Sequence, residues 1–253
     1  MRKTVSGKTK QEALKKKREL ENLKDAGRLI DSGKVTLGQW MDRWLEVYKK
    51  PALKPSTWAS YKQLTDLHIK PALGERQLDR LQASEIQAFY NRLSESGRKV
   101  KQRKPRSKKE AERLAQEPPK PPGLANKTVR YIHTILNGAL SQAVKENLIR
   151  FNPVAVTEPP RLERKEMHPL TAKEARAFLE AIKGDMLYPI IFTDLGTGLR
   201  RGELLGLKWE DIDLKEGTAI IRRSLIQLNG QALIQDDTKT RSSRATVRLP
   251  GEV

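Results

Sequence analysis

Three side chains in the second half of the chain are able to act on a phosphate ester: Arg200, Glu203 three residues later, and Lys239 within DDTKTRSSRATVRLP. A guanidinium presents paired N–H donors in a planar fork, and a neighbouring carboxylate preorganises that fork to grip an oxyanion. A lysine at a turn can meet a phosphate leaving group, and burial would lower its pKa toward the working range. Each residue also has a plainer reading. Arg200 and Glu203 could be a solvated pair on an amphipathic helix, and Lys239 one of 50 basic residues making a nonspecific phosphate contact.

The elements that must position these groups lie around TDLGTGLRRGELLGLKWEDIDL, residues 193–214. Gly196 and Gly198 flank Thr197 and end the apolar run from Leu187 to Phe192, where a tight bend fits. A helix beginning near Leu199 would carry Leu204, Leu205 and Leu207 on a buried face, with Trp209 closing it. That helix places Arg200 at the mouth of the bend and Glu203 one turn on. Farther along, GTAIIRRSLIQ alternates as a strand, and Leu228-Asn229-Gly230-Gln231 is a hairpin signal. ALIQD supplies a second strand and RATVRLP a third, so a small antiparallel sheet beside helices is expected.

The chain has 253 residues, room for a sizeable core and two domains. Lys plus Arg number 50 against 31 acids, a formal net charge of +19. Such a surplus favours a polyanionic partner, with nucleic acid first and an anionic membrane surface as the competing explanation. No apolar run approaches the roughly 18 residues of a spanning helix. The start MRKTVSGKTK leads into QEALKKKREL rather than an apolar stretch, unlike a signal peptide. Cysteine is absent, which excludes disulfides and thiol chemistry. His68, His133 and His168 are too widely spaced to suggest a metal cluster. The expectation is a soluble, DNA-associated cytoplasmic protein without cofactor or metal.

Before the chemistry-bearing stretch the pattern is helical. Residues 1–33 hold one helix, opened by a capping box at Thr9 and Glu12 and stopped by Gly27, with a thin apolar stripe of Ala13, Leu14, Leu20 and Leu23. Residues 34–153 carry four helices. Thr36 and Gln39 box the first, whose inner side is Leu37, Trp40, Met41, Trp44, Leu45 and Tyr48. Ser56 or Thr57 caps the second, which carries Trp58, Tyr61 and Leu64 inward and stops at Pro71. The third buries Ile86, Phe89, Tyr90 and Leu93. The fourth, residues 126–149, buries Val129, Ile132, Leu136, Leu140 and Ala143. The tryptophans fall on apolar stripes, so core packing is favoured over base stacking. His133 is read as a surface or core histidine.

Between the third and fourth helices a basic loop, residues 95–124, gathers Arg98, Lys99, Lys101, Arg103, Lys104, Arg106, Lys108 and Lys109, followed by EPPKPPG. Such a run is solvated when free and supplies phosphate contacts, with little base specificity, against a duplex. Residues 154–170, with three prolines, are expected to be a linker, and Thr171 with Glu174 boxes the next helix.

The run TGLRRGELLGLKWEDID resembles the first conserved box of the tyrosine recombinases, or phage-type integrases. Upstream, T-x-x-x-W at Thr36, S-T-W-x-x-Y at Ser56, I-x-P-x-L-G at Ile69 and Asn152-Pro153 resemble the same family's SAM-like core-binding domain, and TKTRSSR from Thr238 resembles its T-K-T-x-x-S-x-R lysine hairpin. The resemblance implies a mainly α fold. A remnant of an arm-type DNA-binding domain (1–33) would precede a four-helix core-binding domain (34–153) and, after the linker, an incomplete α+β catalytic domain (171–253). It implies that Arg200 contacts the scissile phosphate, that Glu203 supports it and that Lys239 protonates the leaving 5′-oxygen. It further implies double-stranded DNA as partner, with Arg241 and Arg244 beside the basic loop as DNA contacts, and no cofactor. The complete protein would act as a homo-tetramer on paired sites, assisted by DNA-bending proteins, in a bacterial or phage setting.

The family's reaction needs a tyrosine that attacks phosphate and leaves a 3′-phosphotyrosyl link, conserving the ester energy for rejoining. All five tyrosines of this chain, Tyr48, Tyr61, Tyr90, Tyr131 and Tyr188, precede Arg200, and no H-x-x-R follows it. The expectation is therefore a truncated integrase, inactive alone, with a noncatalytic DNA-binding fragment as the alternative. An RNA-binding basic protein is a third class, which the motifs weigh against.

Overall fold

Apolar residues recurring at helical spacing build the first of two units into which the computed structural model divides, Met1–Glu163 and Arg164–Val253. The structure describes residues 9–25, 35–99, 107–108, 112–113, 115, 121–163, 166–228, 230–235 and 246–251. In the first unit, α1 (Lys10–Asp25) opens where the Thr9 hydroxyl accepts the Glu12 N–H at 3.2 Å. Its expected stop at Gly27 lies outside the described residues. Helix α2 (Leu37–Arg43) starts at the reciprocal box of Thr36 and Gln39 and runs on as a π turn, Trp44–Lys49. Helix α3 runs through Pro55–Leu64, a π turn Thr65–Ile69, and Lys70–Leu73.

Two expectations about α3 are corrected. Pro55 occupies the first turn with Lys54 as N-cap, so neither Ser56 nor Thr57 caps it. Proline suits that position because its missing N–H would have had no helical partner. Nor does Pro71 end the helix. The π turn bonds the Lys70 N–H to the Thr65 carbonyl, five residues back, so the hydrogen-bond ladder has already changed register where Pro71 enters.

Helices α4 (Ala83–Ser96) and α5 (Asn126–Lys145) complete the unit. Ile86, Phe89, Tyr90 and Leu93 of α4 and Val129, Ile132, Leu136, Leu140 and Ala143 of α5 close over Leu37, Trp40, Met41, Trp44 and Leu45. Trp40 and Trp44 are thus core, as expected, while Trp58 is only half-buried; the Trp40 indole N–H donates to the Ala139 carbonyl at 2.9 Å. Gly138 lets α5 press on Trp44, since a Cβ there would lie 3.2 Å from the indole. His133 is half-buried and its Nδ1 lies 3.2 Å from the Tyr90 hydroxyl. Helix α5 stops four residues earlier than its pattern suggests. Asn147 turns into the left-handed region (φ 59°), and Leu148 and Ile149 still reach the core from outside the helix.

The stretch expected as a linker from residue 154 begins inside this core. Asn152 caps a 3-10 turn, Pro153–Val156, whose Val154 is fully buried. The Gln87 carboxamide then pairs with the main chain of Glu158 in both directions, at 3.1 and 2.9 Å. Asn126 donates to the Arg161 carbonyl at 3.0 Å and Arg130 to that of Pro160 at 3.2 Å. The main chain is therefore strapped to α4 and α5 as far as Arg161.

In the second unit α6 (Ala172–Ala181) opens on the Thr171–Glu174 box, α7 spans Tyr188–Thr197 and α8 only Arg201–Leu204. Strands β1 (Ile212–Asp213), β2 (Thr218–Ile220) and β5 (Thr246–Arg248) form an antiparallel sheet in the order β1-β2-β5, with Ala219 opposite both Ile212 and Val247. Strands β3 (Ser224–Leu228) and β4 (Gln231–Gln235) form an antiparallel hairpin, with Gly230 at φ 83° just before β4. The single strand expected over residues 217–227 is thus two, in separate sheets. The break at 221–223 buries both Ile221 and Arg223, and Arg223 pairs with the Asp211 carboxylate just before β1.

Two outcomes follow for the first unit. Trp40→Ala empties an indole-sized space and loses a buried hydrogen bond, and is expected to cost about 3–5 kcal/mol in a urea titration. Burial, reinforced by Lys99 and Arg130, holds the His68 and His133 imidazoles below their ordinary value of 6.5. Their neutral forms contribute stability that is complete above that value and is lost as acidification protonates the unfolded chain. The melting temperature should fall from pH 7 to pH 5, less steeply in His68→Gln.

Candidate active site

The geometry around Arg200 starts with the end of α7. Gly198, at φ 65°, closes that helix through its N–H to the Asp194 carbonyl at 2.8 Å. A left-handed residue is needed there to reverse the chain, and glycine takes it without a Cβ penalty. Gly196 is helical, so the bend belongs to Gly198 alone. The Thr197 hydroxyl donates back to the Thr193 carbonyl at 2.6 Å and accepts the Leu199 N–H at 3.4 Å.

Arg200 is then the N-cap residue of α8. Both oxygens of Glu203 are used on it: Oε2 accepts the Arg200 backbone N–H at 3.0 Å, and Oε1 accepts Nη1 of its guanidinium at 2.8 Å. The Glu203 side chain is 9% exposed and that of Arg200 69% exposed. The acid is therefore a buried anchor and the guanidinium an outward-facing fork whose root is fixed. The pair thus differs from a freely solvated one.

The rest of the stretch departs from expectation. The helix spans four residues, Leu204 and Leu207 are only half-buried, Leu205 is 45% exposed and Trp209 is 82% exposed, so no apolar face closes on Trp209. What seats α8 is backbone proximity. A Cβ on Gly202 would lie 2.5 Å from the Ser224 hydroxyl, and one on Gly206 3.0 Å from the Arg223 carbonyl. Two glycines four residues apart in RRGELLG were the available signal, since that spacing puts both on one face.

Beyond them, Asp211 Oδ2 accepts the Lys208 N–H at 3.1 Å and Arg223 Nη1 at 2.6 Å, while Arg223 Nη2 donates to Glu210 at 3.0 Å. Neither Asp211 nor Arg223 stood out in the sequence, where they were one acid and one base among many.

Of the other expected site residues, Lys239, Arg241, Arg244, Lys101, Arg103, Lys104, Arg106 and Lys109 lie outside the described residues. Lys99 and Lys108 are exposed. Arg98 is half-buried and ties the base of the basic loop, its N–H meeting the Pro122 carbonyl at 2.8 Å and its Nε the Gly123 carbonyl at 3.3 Å. A basic feature not anticipated is an open depression of about 450 Å³ lined by Lys127, Thr128, Arg130, Tyr131 and Thr134 on α5. Among the described residues no cluster of metal-ligating side chains occurs, and no helix is long and apolar enough to cross a membrane.

With this geometry in hand, comparison with known proteins is informative. Residues 36–94 match the family of the phage integrase, N-terminal SAM-like domain. A tyrosine recombinase XerC-like protein of Caldanaerobacter subterraneus subsp. tengcongensis is 29% identical over 268 residues, covering 100% of this chain and 62% of that protein. The Tn1549 transposon integrase, solved with a circular intermediate DNA, superposes with a TM-score of 0.65 at 22% identity over 87% of this chain and 62% of its own. A lambda integrase tetramer solved on a Holliday junction gives a TM-score of 0.56 at 20% identity, over 90% of this chain and 61% of its own. The chain thus spans 61–62% of the length of these relatives. It is similar to tyrosine recombinases, or phage-type integrases, and shares their fold of a helical SAM-like unit followed by an α+β unit.

Glu203→Ala removes the cap and the side-chain anchor together. It is expected to lower the stability of the second unit by about 1–2 kcal/mol, read from its thermal transition, and to leave that of the first unit in place.

Proposed function

We propose that this chain is the DNA-gripping, arginine-bearing part of a site-specific DNA recombinase that cuts and rejoins strands through a 3′-phosphotyrosyl intermediate in the complete protein. The observation that carries the reading is the Arg200 fork, rooted by both oxygens of a buried Glu203 and presented outward. A guanidinium so held needs no reorganisation to meet charge developing on a phosphoryl oxygen, which is the economical form of electrostatic catalysis. Lys239 is assigned as the proton donor to the leaving 5′-oxygen. In the sequence it follows the β3–β4 hairpin by four residues.

Duplex binding is assigned to basic residues of the first unit and the hairpin segment. Arg98, Lys99 and Lys108 of the basic loop are joined by Lys101, Arg103, Lys104, Arg106 and Lys109, and by Arg241 and Arg244. Lys127 and Arg130, beside the α5 depression, extend this set. Phosphate contacts of this kind supply affinity and orientation rather than base reading. Assembly as a homo-tetramer on paired sites is part of the same proposal.

The nucleophile is the one role given to no residue here, because every tyrosine of the chain precedes Arg200. That observation keeps the second reading, a fragment that occupies recombination sites without cutting them.

The chain should bind duplex DNA with an affinity falling about 10³–10⁵-fold between 50 and 200 mM salt, as six to ten phosphate contacts require. On a nicked suicide substrate it should form no covalent adduct, and an adduct would overturn the assignment of the nucleophile elsewhere. In a protein that carries the tyrosine, Arg200→Ala should lower cleavage by about 10²–10³-fold with binding retained. Undiminished cleavage would remove Arg200 from the reaction.

A further inference from the structure

We propose that Arg223 is a positioning residue, whose ion pairs with Asp211 and Glu210 lock the turn that follows the Arg200 helix to the root of the β3–β4 hairpin. The inference deepens the proposed recombinase reading and rests on it for its functional consequence. Its structural part stands on the geometry alone.

Arg223 is the last residue before β3, and its side chain is 10% exposed. Its fork reaches Asp211 at 2.6 Å and Glu210 at 3.0 Å, both in the single turn Trp209–Asp211 that follows the Arg200 helix. The Asp211 side chain is 1% exposed and also accepts the Lys208 N–H, which fixes the turn from within. Arg222 Nε lies 3.6 Å from the other Asp211 oxygen, so two consecutive arginines address one carboxylate from the strand side. On the opposite side of the same junction, Gly202 and Gly206 bring the backbone of the Arg200 segment against Arg223, Ser224 and Leu225.

The location argues for registry rather than simple stability. A buried ion pair is weak as a stabiliser, because desolvating both charges offsets most of their attraction. What a guanidinium fork adds is directional: it fits its carboxylates in one geometry, whereas an apolar pair can slide. Packing supplies little of that constraint, since Leu205 on one side and Leu233 and Ile234 on the other are exposed, and Leu204, Leu207, Leu225 and Ile226 are only half-buried. The ion pairs and the two glycine contacts are what hold the Arg200 turn against the hairpin root.

The chain has no cysteine, so paired spin labels can be placed without background. Labels at Arg201→Cys and Gln227→Cys, both exposed positions, would report the distance from α8 to β3 by pulsed EPR. A single narrow distance peak is expected in the otherwise unaltered chain. Arg223→Ala and Asp211→Asn should each lose it to a broad distribution, and Arg223→Lys, which keeps one of the two pairs, should broaden less. Should Arg223→Ala abolish the thermal transition of the second unit, Asp211→Asn and Arg223→Lys carry the test. A peak unchanged in those variants overturns the lock. In a protein that carries the tyrosine, Asp211→Asn should slow cleavage of bound DNA by about 100-fold at unchanged DNA affinity. A broadened peak with unchanged cleavage would reject the positioning role. If Arg200→Ala also cleaves normally, the catalytic reading of the site fails as well, while the structural lock stands.

Discussion

A carboxylate with 9% of its side chain exposed has to be matched by donors, and Glu203 is matched by two groups of one residue. Its oxygens hold the Arg200 N–H and guanidinium together, so one interaction starts the helix and aims the fork. Much of the second unit's detail serves that pairing. Gly198 reverses the chain so that Arg200 arrives at the helix start, and Gly202 and Gly206 let the segment lie against β3. Glu203 could not be solvated instead without undoing the turn, because the backbone donor it serves is the one that defines the cap.

The first unit solves a different problem, presenting a basic surface from a rigid body. Its core is a conventional one in which α5 runs through the middle, buried at Val129, Ile132, Leu136, Leu140 and Ala143, while Lys127 and Arg130 face outward from the same helix. The polar side chains on that outer face are not all available to a ligand. Gln87, Asn126 and Arg130 hold the main chain of residues 158–161. Arg98 similarly spends part of its hydrogen-bonding capacity closing the base of the basic loop. Positive charge in the sequence therefore overstates the number of side chains free to meet phosphate.

Legibility followed the range of the interaction. The Thr36–Gln39 and Thr171–Glu174 boxes, the four apolar stripes of the first unit and the Asn229-Gly230 hairpin were readable because partners lie within a few residues. Arg200 and Glu203 were readable for the same reason, three residues apart. Pro71 misled because the π turn before it changes the hydrogen-bond register, and a π turn leaves no periodic trace in the apolar pattern. The alternation through residues 217–227 misled because it describes which side chains are buried, not which strand they pair with.

The sequence by itself determined the helical unit, the bend before Arg200, the carboxylate that anchors it and the resemblance to phage-type integrases. All of these depend on local spacing and residue type. Only the tertiary structure decided that Trp209 stays exposed, that the run after β2 crosses to a second sheet, and that Gln87 grips the main chain at Glu158. It also joined Asp211 to Arg223, twelve residues apart. Ions and amides of that kind are common along any chain, and they acquire a role only when folding brings one specific pair within hydrogen-bond reach and removes water from around it.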